Sequence, residues 1–329
     1  MFTLRVPFRI AEGKRLGKLD ELPHEEVEGL RLQLESSSSY YALTIEGFAS
    51  LEEAEAFLTR SFGGLFWAML NLSLPFSANT AFQEVHYPDD PSQAGANIFG
   101  PESDIVIEGM LDGSRPAVYR SGLSVSVMTA GEPSIEVGIS APEVLTAIVE
   151  GVRHADPNAL EDTRVRTSLE LFRSHFFERS PEARLLSLVM ALEVLTTSQQ
   201  KHPAALELID CWKGQLVKLR GDMAEESEAA EALNALEREL LFRRNLSLRS
   251  QIRILVKEGL KGPDTEDRAR RAVEVYDARS KLVHTGRLDR DKLADALHHA
   301  RVLVSAVLRT RLDGVWGQES GRDYGEDPE

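Results

Sequence analysis

The feature that most constrains the fold of this chain is a change in hydrophobic period near Ser140. Before it, apolar and polar residues alternate, most clearly over 2–10 and 30–34, which is typical of strands that bury one face. After it, apolar residues recur at spacings of three and four, as in amphipathic helices. The sequence therefore predicts an α+β N-terminal domain at residues 1–155, followed by an all-α helical bundle at residues 156–312.

The first strand and the first helix of the α+β domain are predicted from local signals. Pro7 cannot donate a ladder hydrogen bond, so the strand that contains it is predicted to lie at a sheet edge or to carry a bulge. A strand at residues 41–45 is followed by Ser50 and Glu53, which form a capping box. This box predicts a helix that continues to about Met69.

The rest of the α+β domain contains no motif that indicates catalysis. Short apolar runs between residues 105 and 139 predict a meander. The polar stretch Pro88–Pro101 predicts a loop that is either mobile or a contact surface. No glycine-rich phosphate loop, pair of His ligands or nucleophile elbow is present in this part of the sequence. His86 is therefore interpreted as a structural or exposed loop residue.

The helical bundle is predicted from caps and apolar stripes. The spacing of Ser140 and Glu143 predicts a capped helix where the helical period begins. A further helix begins at Ser180, and its broad apolar stripe predicts that it lies at the centre of the bundle. Glu193 lies among the leucines of this helix, so it is either at the edge of the stripe or a partly buried carboxylate with an arginine partner. The further predicted helices span residues 203–219, 224–242, 248–258, 266–284 and 289–312, and residues 313–329 are predicted to be a disordered acidic tail.

The charge of the chain is unevenly distributed. The net charge is −15, which argues against a protein that coats nucleic acid by bulk attraction. Within Arg238–Lys292, however, 15 basic residues accompany 9 acidic ones. This segment contains basic side chains that could contact phosphate, and the alternative interpretation is a set of solvated helix faces.

The location of the chain is predicted from its cysteine content and from its apolar runs. It has a single cysteine, so no intramolecular disulfide forms, and no Cys/His cluster has the spacing of a zinc site. Cys211 is predicted to be a small, partly buried apolar residue. The longest apolar run, Phe62–Phe76, is too short to cross a bilayer. We therefore expect a cytoplasmic protein without a membrane segment.

The segment Tyr276–Gly286 places an arginine five residues before a histidine at a predicted helix end. Histidine exchanges protons near neutral pH, and a guanidinium holds two phosphate oxygens at once. Leu282 and Val283 are predicted to face inward, and Gly286 is predicted to end the helix. On a regular helix the Arg279 and His284 side chains would point about 140° apart, so convergence requires a distorted helix end. The alternative is a His that caps the helix and a solvated Arg.

The region from about residue 158 to 312 resembles a HEPN domain, in particular the Apea-like branch, a helical bundle that carries Arg and His separated by four to six residues. The string YDARSKLVHTG matches that motif, and ALEVL and LFRRNLSLRSQI resemble other parts of the branch. Many active HEPN ribonucleases have Asn, Asp or His after the arginine, where this chain has Ser280. The resemblance covers nearly half of the chain.

The resemblance implies a metal-independent endoribonuclease without a cofactor, active as a homodimer through the bundle, in phage defence or in a toxin system. Arg279 would stabilise the phosphate and His284 would act as acid and base. The remaining implied site residues are supporting (Ser280, Glu193 and Tyr276) or RNA-binding (Lys281, Arg287, Arg243, Arg244 and Arg249). The acidic N-terminal domain would be a sensor, a specificity element or the binding site of a partner or trigger.

Two other functions remain open. A non-catalytic HEPN protein would use the bundle as a scaffold for dimerisation or for binding RNA or another ligand, and both Ser280 and the acidic total favour this alternative. A DNA-binding regulator would need a recognition helix, and no sequence signature of one is present. The sequence names neither the RNA substrate nor the trigger.

Overall fold

The computed structural model describes residues 1–10, 14–16, 24–36, 40–128, 137–221 and 227–313. The chain divides into two compact units: the first contains Met1–Arg179 and the end of the last helix from Leu308, and the second contains Ser180–Val307. A strand-rich N-terminal region is followed by a mostly helical C-terminal part, which confirms the predicted order of strands and helices. The predicted tail after Asp313 lies outside the described residues.

Most strands of the first unit form one sheet. The strands are β1 (Phe2–Ile10), β2 (Lys14–Leu16), β3 (His24–Val27), β4 (Leu30–Ser36), β5 (Tyr41–Phe48), β6 (Phe76–Ala78), β7 (Gly109–Asp112), β8 (Ala117–Arg120), β9 (Val125–Met128) and β10 (Val137–Ile139). The main sheet has the order β3-β4-β5-β1-β6, and β8 also pairs with β1. Its apolar face buries alternate residues such as Leu4, Val6 and Phe8.

The strand that contains Pro7 lies inside the sheet, so the predicted edge position is wrong. The alternative, a bulge, agrees with the register shift between Phe2 and Thr3 in the pairing of β1 with β5. β1 pairs with β5 along one side, where Pro7 is opposite Ala42. On the other side β8 pairs with residues 2–5 and β6 pairs with residues 8–10. Pro7 lies in the gap between these two short partners, where the described sheet requires no hydrogen bond from its nitrogen.

The second half of the first unit departs from the predicted meander and loop. β7 pairs with β9 in parallel, β10 pairs with β2 in parallel, and β8 joins the main sheet. Strands that are neighbours in the sequence between β7 and β10 therefore do not pair with each other, so the predicted meander is wrong. Within the predicted loop at 88–101, Asp90 accepts hydrogen bonds from two backbone amides and Pro91 follows it, so a helix begins there.

The first unit also contains six helices among its described residues. They are α1 (Leu51–Ala56), α2 (Leu58–Leu72), α3 (Pro91–Phe99), α4 (Ala141–His154), α5 (Pro157–Glu161) and α6 (Thr163–Ser174). The helix predicted up to Met69 is divided at Phe57, and Ser140 makes no capping hydrogen bond within the described residues. α2 and α4 cross at glycines, because a Cβ at Gly151 would lie 2.7 Å from the Gly64 Cα.

The helices of the second unit begin and end close to their predicted bounds. They are α7 (Pro181–Leu195), α8 (Pro203–Gly221), α9 (Glu228–Phe242), α10 (Leu248–Gly259), α11 (Thr265–Thr285) and α12 (Arg290–Leu312), of which the last continues into the first unit. Ser180 caps α7 through the Ala183 amide at 3.0 Å. Gly286 ends α11 with a φ of 67°, as predicted.

The exposure of Cys211 and the length and hydropathy of the helices can also be compared with the predictions. Cys211 is exposed on α8, so the prediction of a partly buried residue is wrong. It lies about 200° around the helix from Ile209, which is buried. No described helix is long and apolar enough to cross a membrane.

Candidate functional site

The helix α11 carries both predicted catalytic residues, and its buried face fixes their directions. Ala269, Ala272, Val275 and Leu282 are buried and form the stripe that packs into the second unit. Val283 is 53% exposed, so the expectation that it faces inward is wrong. Its position lies about 100° around the helix from Leu282, which turns it away from the buried stripe.

Arg279 forms an ion pair with Glu193 between α11 and α7. The Arg279 Nη2 donates to the Glu193 Oε2 at 3.4 Å, and the two side chains are 24% and 16% exposed. Of the two alternatives for Glu193, the structure therefore has the partly buried carboxylate with an arginine partner. The Arg279 Nε and the Glu193 Oε1 are buried and have no hydrogen-bond partner among the described residues. The pair is thus long and incompletely satisfied on both sides.

The electrostatics of Glu193 agree with this geometry. Burial raises the pKa of Glu193 above its usual value, and the opposing charge of Arg279 lowers it by less. Loss of hydration thus outweighs the attraction to the guanidinium. About a quarter of the Arg279 side chain is exposed, so its outer guanidinium nitrogens retain the capacity to bind an anion such as phosphate.

His284 is exposed in the last turn of α11. The helix continues through Thr285, and the Gly286 amide donates to the Leu282 carbonyl at 2.8 Å. No distortion of the kind that convergence would require precedes the end of the helix. Five residues of regular helix separate the two side chains by about 140°, so one chain does not bring Arg279 and His284 onto the same face.

Four further predicted site residues lie in the second half of α11 or directly after it. Tyr276 and Ser280 are partly buried, while Lys281 and Arg287 are exposed. In the part of the chain that the structure describes, neither Lys281 nor Arg287 has an ion-pair partner. Their ammonium and guanidinium groups are therefore accessible beside His284.

The three predicted RNA-binding arginines that precede α11 in the sequence differ in their ion-pair partners and in their positions. Arg244 forms an ion pair with Asp210 of α8. Arg249 binds Asp277 of α11 through two nitrogens, with an Nη2 to Oδ2 distance of 2.8 Å. Arg243 is exposed at the end of α9. Arg249 thus lies next to α11, whereas Arg243 and Arg244 belong to the end of the α8–α9 pair.

Sequence reasoning missed an open groove of about 670 Å³ between α10 and α11. Its lining includes Arg249, Arg253 and Arg270, and the acidic residues beside them are Glu266, Asp267 and Glu274. Arg253 pairs with Glu266 at 3.3 Å, and Arg270 pairs with Asp267. The arginines of the groove are thus locally neutralised by exposed partners, whose contribution to stability is small.

A second feature missed from the sequence is a polar network between α11 and α12. The Arg271 Nη1 lies 2.8 Å from the His299 Nε2, and the Arg271 Nε donates to Asp267 at 3.0 Å. Burial lowers the pKa of His299, and the charges of Arg271 and His298 lower it further. A neutral His299 can accept the Arg271 hydrogen bond, so this network is a structural one.

The α8–α9 pair has its own small core and an apolar groove. Ile209, Leu216 and Leu240 are buried between the helices. The groove, of about 540 Å³, is lined by apolar side chains such as Trp212 and Leu219 and by Arg243. Trp212 and Leu219 are 46% and 53% exposed. This surface suits an apolar ligand or protein contact better than a phosphate.

Comparisons with known proteins add no assignment: no protein-family model, no curated protein and no solved structure matches the chain. In the described residues, no group of three or more His, Cys, Asp or Glu side chains is arranged to hold a metal ion. The candidate site therefore consists of Arg279, Glu193 and His284, with the basic side chains at the end of α11.

Proposed function

We propose that the chain is a cytoplasmic HEPN-type endoribonuclease of the Apea-like branch, with Arg279 and His284 as its catalytic residues. The observation that carries the proposal is the state of Arg279, a partly buried guanidinium with an unpartnered Nε and a long contact to Glu193. A buried donor without a partner is uncommon in folded proteins and requires an explanation, and a role in anion binding provides one. An exposed histidine on the same helix supplies the proton-transfer group that RNA cleavage needs.

The proposed reaction needs no metal. The ribose 2′-oxygen attacks the adjacent phosphorus, the bond from phosphorus to the 5′-oxygen breaks, and the products are a 2′,3′-cyclic phosphate and a 5′-hydroxyl. His284 takes the proton of the 2′-hydroxyl and returns it to the leaving 5′-oxygen. Arg279 stabilises the charge that develops on the phosphate oxygens. Proton transfer of this kind contributes about 10²–10⁴-fold to the rate.

The separation of the two side chains on a regular helix leads us to propose a composite site. In a homodimer formed through the helical bundle, Arg279 of one copy would face His284 of the second copy across a two-fold axis. The exposed quarter of the Arg279 side chain remains accessible for this contact. Two equivalent sites would result from one symmetric interface.

RNA would be oriented by the basic side chains around the site. Lys281 and Arg287 flank His284 and are exposed, so they can contact phosphates without reading the sequence. Arg249 would take part by exchanging the Asp277 carboxylate for a phosphate, since this ion pair is exposed. Arg243 and Arg244 would extend the contact at the end of α9.

The biological role that we propose follows the resemblance. A ribonuclease in phage defence or in a toxin system must be held inactive until a signal arrives. We assign this sensing to the strand-rich N-terminal region, whose acidic composition disfavours contact with RNA.

Purified protein incubated with total RNA in the presence of a chelator tests the proposal. The unaltered chain is expected to produce fragments with 5′-hydroxyl ends, which accept labelled phosphate from a polynucleotide kinase. Arg279→Ala and His284→Ala are each expected to lower the cleavage rate at least about 100-fold.

Matched variants separate loss of the site from loss of the fold. Arg220→Ala removes another ion-paired arginine of the second unit, which binds Glu237 at 2.9 Å. His298→Ala removes another exposed histidine. Both controls should cleave RNA at the unaltered rate. Equal cleavage by Arg279→Ala and by the unaltered protein would refute the proposed site.

A second candidate function is a non-catalytic scaffold that binds a ligand or a second copy. The apolar groove between α8 and α9 favours it, and so does the anchoring of Arg279 by Glu193. A scaffold would bind RNA or a partner without producing fragments. Trp212→Ala would then reduce binding, whereas His284→Ala would leave binding unchanged.

A further inference from the structure

The helix α3 of the first unit exposes its two largest apolar side chains. Of its nine residues only Gly95 is buried, while Ile98 and Phe99 are 43% and 56% exposed. Shortly after the helix, Ile105 and Val106 are 47% and 42% exposed. A helix this short depends on contacts with the rest of the protein for its stability. Its apolar residues face solvent instead.

These side chains form one surface because the chain returns along α3. The Ser103 amide donates to the Gly100 carbonyl at 3.1 Å, and the Ile107 amide donates to the Pro91 carbonyl at 2.9 Å. Between them, the Ile105 carbonyl lies so close to Gly95 that a Cβ there would be 1.6 Å from its oxygen. The backbone of residues 103–107 therefore lies against α3, and Ile105 approaches it at Gly95, about one helical turn from Ile98 and Phe99. We name Ile98, Phe99, Ile105 and Val106 the α3 patch.

The surroundings of the α3 patch are acidic. Glu102 and Asp104 lie in the connection between its two halves, and both are exposed. Neither has an ion-pair partner among the residues that the structure describes. The sequence contains no Lys or Arg between Arg60 and Arg115. The patch is thus an exposed apolar surface beside two exposed carboxylates, within a long stretch of chain that contains no Lys or Arg.

We propose that the α3 patch is the docking site of a basic amphipathic polypeptide segment of a partner protein. Its apolar side chains would cover Phe99 and Ile105, and its Lys or Arg side chains would pair with Glu102 and Asp104. A contiguous apolar surface with polar residues at its edge is typical of an interaction site. This inference does not depend on the function of the second unit.

Charge selects this occupant over two others. RNA is excluded because Glu102 and Asp104 would repel its phosphates and nothing in the stretch between Arg60 and Arg115 would neutralise them. A second copy docked through the same patch is disfavoured because a two-fold axis would place like charges against each other. A basic segment satisfies both the apolar surface and the carboxylates.

Synthetic helical peptides of about 14 residues test the proposal. Three labelled peptides share a leucine stripe and carry Lys, Gln or Glu at their remaining positions, and fluorescence anisotropy measures their binding to the full-length protein. The Lys peptide is expected to bind at least about tenfold more tightly than the Gln peptide, and more weakly as salt increases. The Glu peptide is expected not to bind.

Variants of the α3 patch distinguish specific docking from general attraction to an acidic protein. Phe99→Ser should weaken the Lys peptide at least about tenfold, as for a central interface contact, whereas Leu51→Ser, at another exposed apolar residue, should not. The double substitution Glu102→Gln and Asp104→Asn should weaken binding severalfold. Removing two charges on α1 with Glu52→Gln and Glu55→Gln should have no such effect.

Three results would overturn the proposal. The first is that the Lys peptide does not bind to the unaltered protein. The second is that Phe99→Ser binds the Lys peptide as tightly as the unaltered protein does, while both proteins unfold at the same temperature. The third is self-association of the unaltered protein that Phe99→Ser abolishes in sedimentation experiments, since a second copy would then be the occupant.

Discussion

The substitution Glu193→Gln tests whether the ion pair between Arg279 and Glu193 stabilises the folded chain. The substitution keeps the shape of the side chain and its capacity to accept from Arg279, but removes the carboxylate charge. Because the pKa of Glu193 is raised even beside Arg279, we expect the unfolding free energy at about pH 7.5 to stay the same or to rise by up to about 1 kcal/mol. Most substitutions at partly buried charged pairs instead lower the free energy of unfolding.

The magnitude follows from two opposing energies. Unit charges at the 3.4 Å separation of this pair attract by about 5 kcal/mol at an effective dielectric constant of about 20. Loss of hydration costs several kcal/mol for each ion. Burial raises the pKa of Glu193 more than Arg279 lowers it, so the cost is the larger of the two for the carboxylate. Removing its charge therefore does not destabilise the folded chain.

The pH dependence has a defined sign. The pKa of Glu193 is higher in the folded chain than its usual 4.5, so the folded state binds the proton more tightly. The contribution of Glu193 to stability is present below about pH 4.5 and is lost as the pH rises through the folded pKa. The stability of Glu193→Gln relative to the unaltered chain should therefore increase as the pH rises from about 4.5 to about 7.5.

Urea unfolding at both pH values provides the measurement, and Glu237→Gln is the matched control. The Glu237 carboxylate is 21% exposed and binds Arg220 at 2.9 Å and Lys213 at 3.6 Å, so its loss should cost about 1 kcal/mol. A comparable loss of stability in Glu193→Gln would contradict this expectation, because the Arg279–Glu193 pair would then stabilise the folded chain. The Arg279 donors would not be available to phosphate.

Three further predictions concern the fold. Burial and the Arg271 charge lower the pKa of His299 below its usual 6.5, so the folded chain loses stability as the pH falls below about 6.5. In chemical unfolding, the free energy of unfolding of His299→Gln should therefore depend less on pH than that of the unaltered chain. Gly151→Ala should destabilise the chain by about 2 kcal/mol or more in thermal unfolding, because its Cβ would lie 2.3 Å from a side-chain carbon of α2. Gly214→Ala, with nothing within 4 Å on α8, should instead stabilise by about 0.5–1 kcal/mol. Gly286→Ala should cost about 1 kcal/mol, because its φ of 67° is strained for alanine, and an unchanged melting temperature would contradict this.

The helices of the second unit could be predicted because their signals are local. The cap at Ser180 and the stop at Gly286 lie within a few residues of the turns that they determine. Strand pairing in the first unit depends on residues far apart in the sequence, so short apolar runs could not indicate that β7 pairs with β9 in parallel. The start of α3 was signalled by Asp90 followed by Pro91, but the polar residues around it indicated a loop.

The candidate site was only partly accessible to sequence reasoning. The segment that contains Arg279 and His284 could be identified from its position at a helix end, and Glu193 from its place among leucines. That Glu193 contacts Arg279 could not be derived from spacing, since 86 residues separate them. The regular helix up to Thr285 was also not predictable, because Gly286 permits either a distorted or a regular last turn.

The composite site is tested most directly by mixing two inactive variants. Arg279→Ala and His284→Ala are refolded together from denaturant so that mixed dimers form, and the cleavage of total RNA in a chelator is measured against each variant alone. The mixture is expected to regain activity, because one site of each mixed dimer then contains an intact Arg279 and an intact His284. Activity in the unaltered protein refolded in the same way, with none in the mixture, would contradict the composite site.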